Sequence, residues 1–366
     1  MCGTLFGGIE MLQTQNFLRS KMIAAAIAAV STSTMAAEIP WIGGASGDTT
    51  NFNNASNWQG GNLPVLYNEV TNTTNGDVAV FDGAQVGLVN KTPTMTAAFG
   101  SGVGGGSAGS SSETWGLQGV RLVDSGWTID TGANTLYLSH RGTYDLRSEA
   151  TSGTNTLNGN LRLGARDTND FPVIYQAAGG TLRINATVGI AIDGGGNSSG
   201  GPEIRGGGLV ELNTTGGWGN AGLRVYEGST VRFFAETAGG FTGTGQGGLA
   251  SDTRTLLISN GTVDINGARS SLIFGTLSLP AAGTLTNSSA NAEAVDIRPT
   301  GAQTLAGLIS GNLSMSFGAA PSSGVVVTTT ITNNNSYTGG TTILNGTTGG
   351  STNSIVVTQS VLASQN

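Results

Sequence analysis

Six arginines recur along the middle of this 366-residue chain at nearly even steps. Arg121, Arg141, Arg162, Arg183, Arg205 and Arg224 are separated by 20, 21, 21, 22 and 19 residues. A guanidinium presents a planar fork of donors that matches carboxylate-type anions. Six of them stacked at about 5 Å, the spacing of adjacent strands, would make a groove for an acidic polysaccharide or another polyanion. The same side chains also suit plain outward strand positions, screened by the interleaved Asp124, Asp145, Glu203, Glu211 and Glu227. Surface pairs of that kind contribute little individually, and the net charge of −7 favours that plainer reading.

Acid chemistry has weaker candidates. Asp167 and Asp170, in Ala165-Arg-Asp-Thr-Asn-Asp170, and Asp193, ahead of Gly194-Gly-Gly196, form no compact carboxylate cluster for calcium or for glycosidic cleavage. They read as turn residues. His140 is the only histidine, which excludes a multi-histidine metal site, and Ser139-His140-Arg141 lacks a nucleophile elbow. No catalytic residue, metal site or cofactor is therefore expected. Beyond the first 37 residues Lys91 is the only lysine and no basic cluster exists, so nucleic acid is not an expected partner.

The elements that must carry these residues are short strands. Val120-Arg-Leu122, Thr135-Leu-Tyr-Leu138, Leu161-Arg-Leu163, Leu182-Arg-Ile184, Leu209-Val-Glu-Leu212, Leu223-Arg-Val225, Val231-Arg-Phe233, Leu256-Leu-Ile258, Val263-Asp-Ile265 and Leu272-Ile-Phe274 each alternate in the β sense between Gly, Asn or Thr. With 61 glycines and only 10% charged residues the composition is not that of an ordinary globular domain. The arginine spacing predicts coils of about 20 residues, too short for propeller blades. The expected fold is all-β: a right-handed, single-stranded parallel β-helix with an N-terminal cap and inserted Gly-rich loops near 98–114 and 236–252. Val325–Thr332 is the longest strand-like run, and an aggregation hazard if left at an open edge.

Arg19 and Lys21 precede the apolar run Met22–Val30 and a small-residue stretch ending at Ala37. This reads as a secretory signal peptide over 1–37, too short to span a bilayer. The only cysteine, Cys2, leaves with it. Residues 38–70 read as a capping segment in which Trp41 and Trp58 cover the open end of the first coil, 71–332 as the coils, and 333–366 as the last coil.

Asn335-Ser-Tyr-Thr-Gly-Gly-Thr-Thr-Ile-Leu-Asn-Gly-Thr347 resembles the autotransporter-associated β-strand repeat, in which a polar turn with a Gly pair feeds a β-branched strand. Thr348 and Gly349-Gly350 depart from it where the family places Leu. The resemblance implies an exported protein, extracellular, on the cell surface or in the periplasm of a Gram-negative bacterium, acting as a structural or adhesive element. Its expected partners are extracellular polysaccharide or surface glycans. A β-helix polysaccharide lyase or glycoside hydrolase, or an acidic-polysaccharide-binding module, is the alternative. The lack of barrel strands or a sorting tail after the repeat reads as a fragment of a longer protein.

Overall fold

The computed structural model describes residues 36–66, 76–99, 116–138, 145–165, 171–192, 202–213, 222–233, 255–266, 272–299, 301–318, 327–343, 347–348, 351–352 and 355–359. The leader and the loops expected near 98–114 and 236–252 lie wholly or almost wholly outside them. The described residues all belong to one compact unit, Ala36–Asn366.

Two nine-stranded parallel sheets form the body of a β-helix. Sheet one runs through Glu38–Pro40, Val78–Phe81, Gly119–Leu122, Leu146–Ser148, Val173–Gln176, Glu203–Arg205, Leu223–Val225, Thr255–Ile258 and Thr276–Ser278. Sheet two runs through Thr128–Leu138, Thr154–Ala165, Thr181–Ile192, Leu209–Leu212, Thr230–Phe233, Thr262–Asp264, Thr284–Asn287, Leu308–Gly311 and Ser336–Tyr337. From Gly119–Leu122 to Thr284–Asn287 strands of the two alternate along the chain, so each of these coils contributes one strand to each sheet, whereas Glu38–Pro40 and Val78–Phe81 stack on sheet one alone. A third run follows in many coils. In the N-terminal half it is the second part of the long sheet-two strands, beyond the positive-φ Gly132 and Gly159. In the C-terminal half it is a separate sheet of Leu272–Phe274, Glu293–Ile297, Leu313–Phe317 and Thr341–Ile343. Gln303–Leu305, Val327–Ile331 and Ile355–Gln359 prolong sheet one through the Leu279–Leu305 bridge. Val327–Ile331 is paired on both sides rather than left at an edge.

Alternation along each strand becomes stacking between coils. Val120, Leu146, Ile174, Ile204, Val225 and Ile258 form one inward column of sheet one, and Leu182, Val210, Val231, Val263, Leu285 and Ile309 one of sheet two. All are buried, each contributing roughly 1.5–3 kcal/mol of apolar burial. At the N-terminal end Trp41, Phe52 and Trp58, fully buried, pack edge-on or stacked against one another and on Phe81. Phe99 and Trp127 continue the cluster downward. The Trp58 indole donates to Phe52 O at 2.9 Å, so its polar edge is satisfied within the cap.

Side-chain amides finish the corners. Asn155, fully buried, accepts from the Trp127 amide at 3.0 Å and donates to Asp124 O and Ser148 Oγ. Asn335, the first residue of the repeat-like stretch, accepts from the Ile309 amide at 2.7 Å. Gly339 and Gly340 then turn the chain. A Cβ at Gly339 would lie 2.6 Å from Leu313 O, and Gly340 has φ +81°. Thr341–Ile343 pairs with Met315–Phe317.

Candidate functional site

Coil length is uneven: residues paired in adjacent coils stand 21 apart at Val210 and Val231 but 26 at Arg121 and Arg147 and 30 at Tyr175 and Arg205. Hydrogen-bonded side chains in adjacent coils are 28 residues apart at Arg183 and Glu211, 32 at Arg232 and Asp264, and 24 at Thr286 and Ser310. The six arginines therefore do not form a row, contrary to the expectation from their spacing. Arg121 and Arg205 share a column of sheet one, with Arg147 and Tyr175 between them. Arg224 stands in the neighbouring column, opposite Glu203 and Leu257. Arg183 lies in sheet two, between Thr156 and Glu211. Arg162 belongs to the third run, between Tyr137 and Gly189. Arg141 lies outside the described residues, as do His140, Asp167, Asp170 and Asp193.

Within the columns, charges alternate in sign, are separated by rings or, for the adjacent Arg121 and Arg147, share a carboxylate, that of Glu149. On sheet one the Arg121 guanidinium binds Glu149 at 3.0 Å and both Glu38 oxygens at 2.9 and 3.0 Å. Hydrogen bonding to Glu149 is the main reason its pKa is raised, and it outweighs the opposing effect of burial. Arg147 contacts Glu149 at 2.7 Å and lies over the Tyr175 ring. Arg205 is clasped by Glu203 and Glu227 at 2.8 and 2.7 Å and lies over Tyr226. Burial works against its charge, but the two carboxylates prevail and raise its pKa.

On sheet two one column reads Thr156, Arg183, Glu211, Arg232, Asp264, Thr286, Ser310, Ser336. Arg183 covers Glu211 and Arg232 covers Asp264, leaving those carboxylate side chains 7% and 3% exposed. Asp264 also accepts from the Ser288 amide and hydroxyl and the Asn266 amide. A carboxylate so saturated cannot act as a general base without breaking the joint it makes. Beside this column Asn158, Asn185 and Asn213 form an amide ladder, each linked to the next at 3.1 and 3.2 Å.

Sequence reasoning did not find Arg147 and Tyr175 as members of the arginine column. Their signals were Leu146-Arg-Ser148 and Val173-Ile-Tyr-Gln176, two more short alternating runs. Among the described residues no group of three or more His, Cys, Asp or Glu side chains could hold a metal ion, and no helix is long and apolar enough to cross a membrane. No family profile, no curated protein and no solved structure matches the chain.

Proposed function

We propose that the chain is an exported, non-catalytic β-solenoid of the kind carrying the autotransporter-associated β-strand repeat, serving as a structural and adhesive element outside the cytoplasm of a Gram-negative bacterium. The observation that carries this reading is the use made of its acids. Glu38, Glu149, Glu203, Glu211, Glu227 and Asp264 each bind an arginine, and Asp124 and Asp145 accept backbone amides of other coils. Polar surface of this type joins coil to coil and leaves long rows of repeated side chains facing solvent, the surface through which solenoids meet partners. The turn made by Asn335–Ile343 supports the family resemblance, since its glycines occupy the positions where the coil must turn.

Two measurements test the proposal. Expressed with its leader in a Gram-negative host, the protein is expected outside the cytoplasm with a mature N-terminus near Glu38; an uncleaved cytoplasmic product overturns export. Incubated with polygalacturonate or alginate, it is expected to release neither unsaturated uronate nor new reducing ends, and either product would establish the lyase or hydrolase instead.

A further inference from the structure

The two ends of the stack are finished differently. Among the described residues Glu38–Pro40 is the edge strand of sheet one at the N-terminal end, and it carries two features that blunt a free edge, a charge and a proline. The Trp41 amide donates to Val80 O at 2.8 Å, so by alternation the N–H that Pro40 lacks falls on the open side. At the far end, among the described residues, Ser336–Tyr337, Thr341–Ile343 and Ile355–Gln359 stand last in their sheets, and they contain neither a charge nor a proline. Ile343 continues the inward column of Ile297 and Phe317, which are fully buried, yet it is 50% exposed. Thr341 and Thr342 are exposed as well, so the antiparallel pair of Thr347–Thr348 and Ser351–Thr352 does not cover this strand. We propose that this end is an interface between two copies of the chain, joined tail to tail about a two-fold axis at Thr342. The interface requires neither export nor adhesion.

Shape, hydrogen bonding and charge each select a second copy as the occupant. Ser336–Tyr337, Thr341–Ile343 and Ile355–Gln359 follow one another up the last coil, so the end of the stack is a helical ramp. Turned over by a two-fold axis through its middle strand, such a ramp fits itself. The lowest step of each copy meets the highest step of the other, and Thr341–Ile343 meets its own counterpart, a contact that uses one patch twice and closes. Thr341 pairs with Met315, whose amide donates to Gly340 O at 3.0 Å. In a parallel ladder that register turns the N–H and C=O of Thr341 and Ile343 to the open side. Antiparallel self-pairing lets Thr341 exchange both bonds with the partner subunit's Ile343, and it keeps both side chains on the inward face, where Ile343 is covered. Like faces meet in such a pair, so any net charge there would repel itself. Residues 299–366 contain no Asp, Glu, Lys, Arg or His.

Sedimentation equilibrium of the mature protein is expected to show a reversible dimer. Ile343→Lys should raise its dissociation constant at least about a hundredfold, because each copy then buries an unpaired ammonium. Thr341→Pro, which removes an amide on the open side and no bond within the stack, should raise it about tenfold or more. Val86→Lys, at an 88% exposed position in the loop after Val78–Phe81, should leave it within about twofold. Unchanged unfolding midpoints of the dissociated chains show that the variants fold, and Thr341→Pro decides where Ile343→Lys does not. Cross-linking reads the register. The only cysteine, Cys2, is absent from the mature protein, and Thr342→Cys would face its own counterpart in a non-hydrogen-bonded pair with Cα atoms about 4.5 Å apart, within the reach of a disulfide. Mild oxidation should link Thr342→Cys into covalent dimers and leave Ser316→Cys, one coil inward in the same column, unlinked. A monomer at every concentration, an open-ended series of larger assemblies, or a dimer that Val86→Lys dissociates overturns the proposal. So does a dimer that persists in both Ile343→Lys and Thr341→Pro, or one in which Thr342→Cys links no better than Ser316→Cys. Each of these outcomes leaves the localisation and cleavage results standing.

Discussion

Asp124 ties the first coil to the second. Its Oδ1 accepts from the Trp127 indole at 2.7 Å and the Gly83 amide at 3.0 Å, while Oδ2 meets the Lys91 ammonium. Lys91 also donates to Ser125 O and lies over the Trp127 ring. Burial alone would push the Asp124 carboxyl upward, but the hydrogen bonds from Lys91, Trp127 and Gly83 outweigh it and hold the pKa below the ordinary carboxylate value. The sign follows. A carboxyl depressed in the folded state contributes its stability in full above the unfolded value of about 3.9, and loses it as pH falls from there through the folded pKa. With the side chain 42% exposed, solvent screening limits the ionic contribution to about 1 kcal/mol or less. Asp124→Asn should therefore lower the unfolding midpoint at neutral pH, and the gap to wild type should narrow as titrations followed by circular dichroism pass below about pH 4. A gap that stays constant down to the acid limit would show that shape, not charge, makes this joint.

At the scale of strands and corners, nine of the ten alternating runs read from the sequence lie within a strand and the tenth, Val263–Ile265, overlaps Thr262–Asp264, because inward β-branched and Leu residues at period two announce themselves locally. The unevenness of the coils was not legible. A steady step of about 21 residues matches coils such as Glu211 to Arg232 but falls short where paired residues stand 26 apart at Arg121 and Arg147, 28 at Arg183 and Glu211 and 30 at Tyr175 and Arg205, so successive arginines slip around the cross-section. Arg162 lands on the third run, Arg183 on sheet two and Arg205 on sheet one. Even spacing along the chain mimicked a row that stacking does not make. Corners were hidden for a related reason, since their geometry depends on contacts between coils. Gly159 has φ +94°, and a Cβ there would lie 2.1 Å from Thr131 Oγ1 and 2.7 Å from Gly132 O. Gly47 has a similar φ of +79° with nothing within 4 Å. Both substitutions to Ala incur the left-handed backbone strain, on the order of 1 kcal/mol, but only Gly159→Ala adds a clash with the neighbouring coil. Denaturant melts should show Gly159→Ala the more destabilised by roughly a further 1–3 kcal/mol, the usual cost of overpacking. Equal losses at the two sites would mean that the corner can open without cost.

For the molecule as a whole, the consequence of this architecture is that stability is a chain of nearest-neighbour terms, with the ends the weakest links. The N-terminal end is closed by aromatic bulk: Trp41, Phe52 and Trp58 lie on Phe81 and Phe99. The capping role assigned to the two tryptophans from sequence rested on that need for a lid, whereas the parts played by Phe52 and Phe99 emerge only from the packing. Trp58→Ala should cost about 3–5 kcal/mol locally, the usual loss for a buried aromatic. In a globular domain that loss would be shared by every amide that exchanges through global opening. In a stack of coils it should stay near its origin. Hydrogen exchange should show lost protection in Val78–Phe81 and Gly119–Leu122, the strands beneath the cap, while Thr284–Asn287 and Leu308–Gly311, far along sheet two, keep theirs. Uniform loss across both groups would show that the coils unfold as one unit and that the cap acts on all of them, since the same 3–5 kcal/mol, drawn from a single cooperative transition, would lower the opening energy of every coil equally.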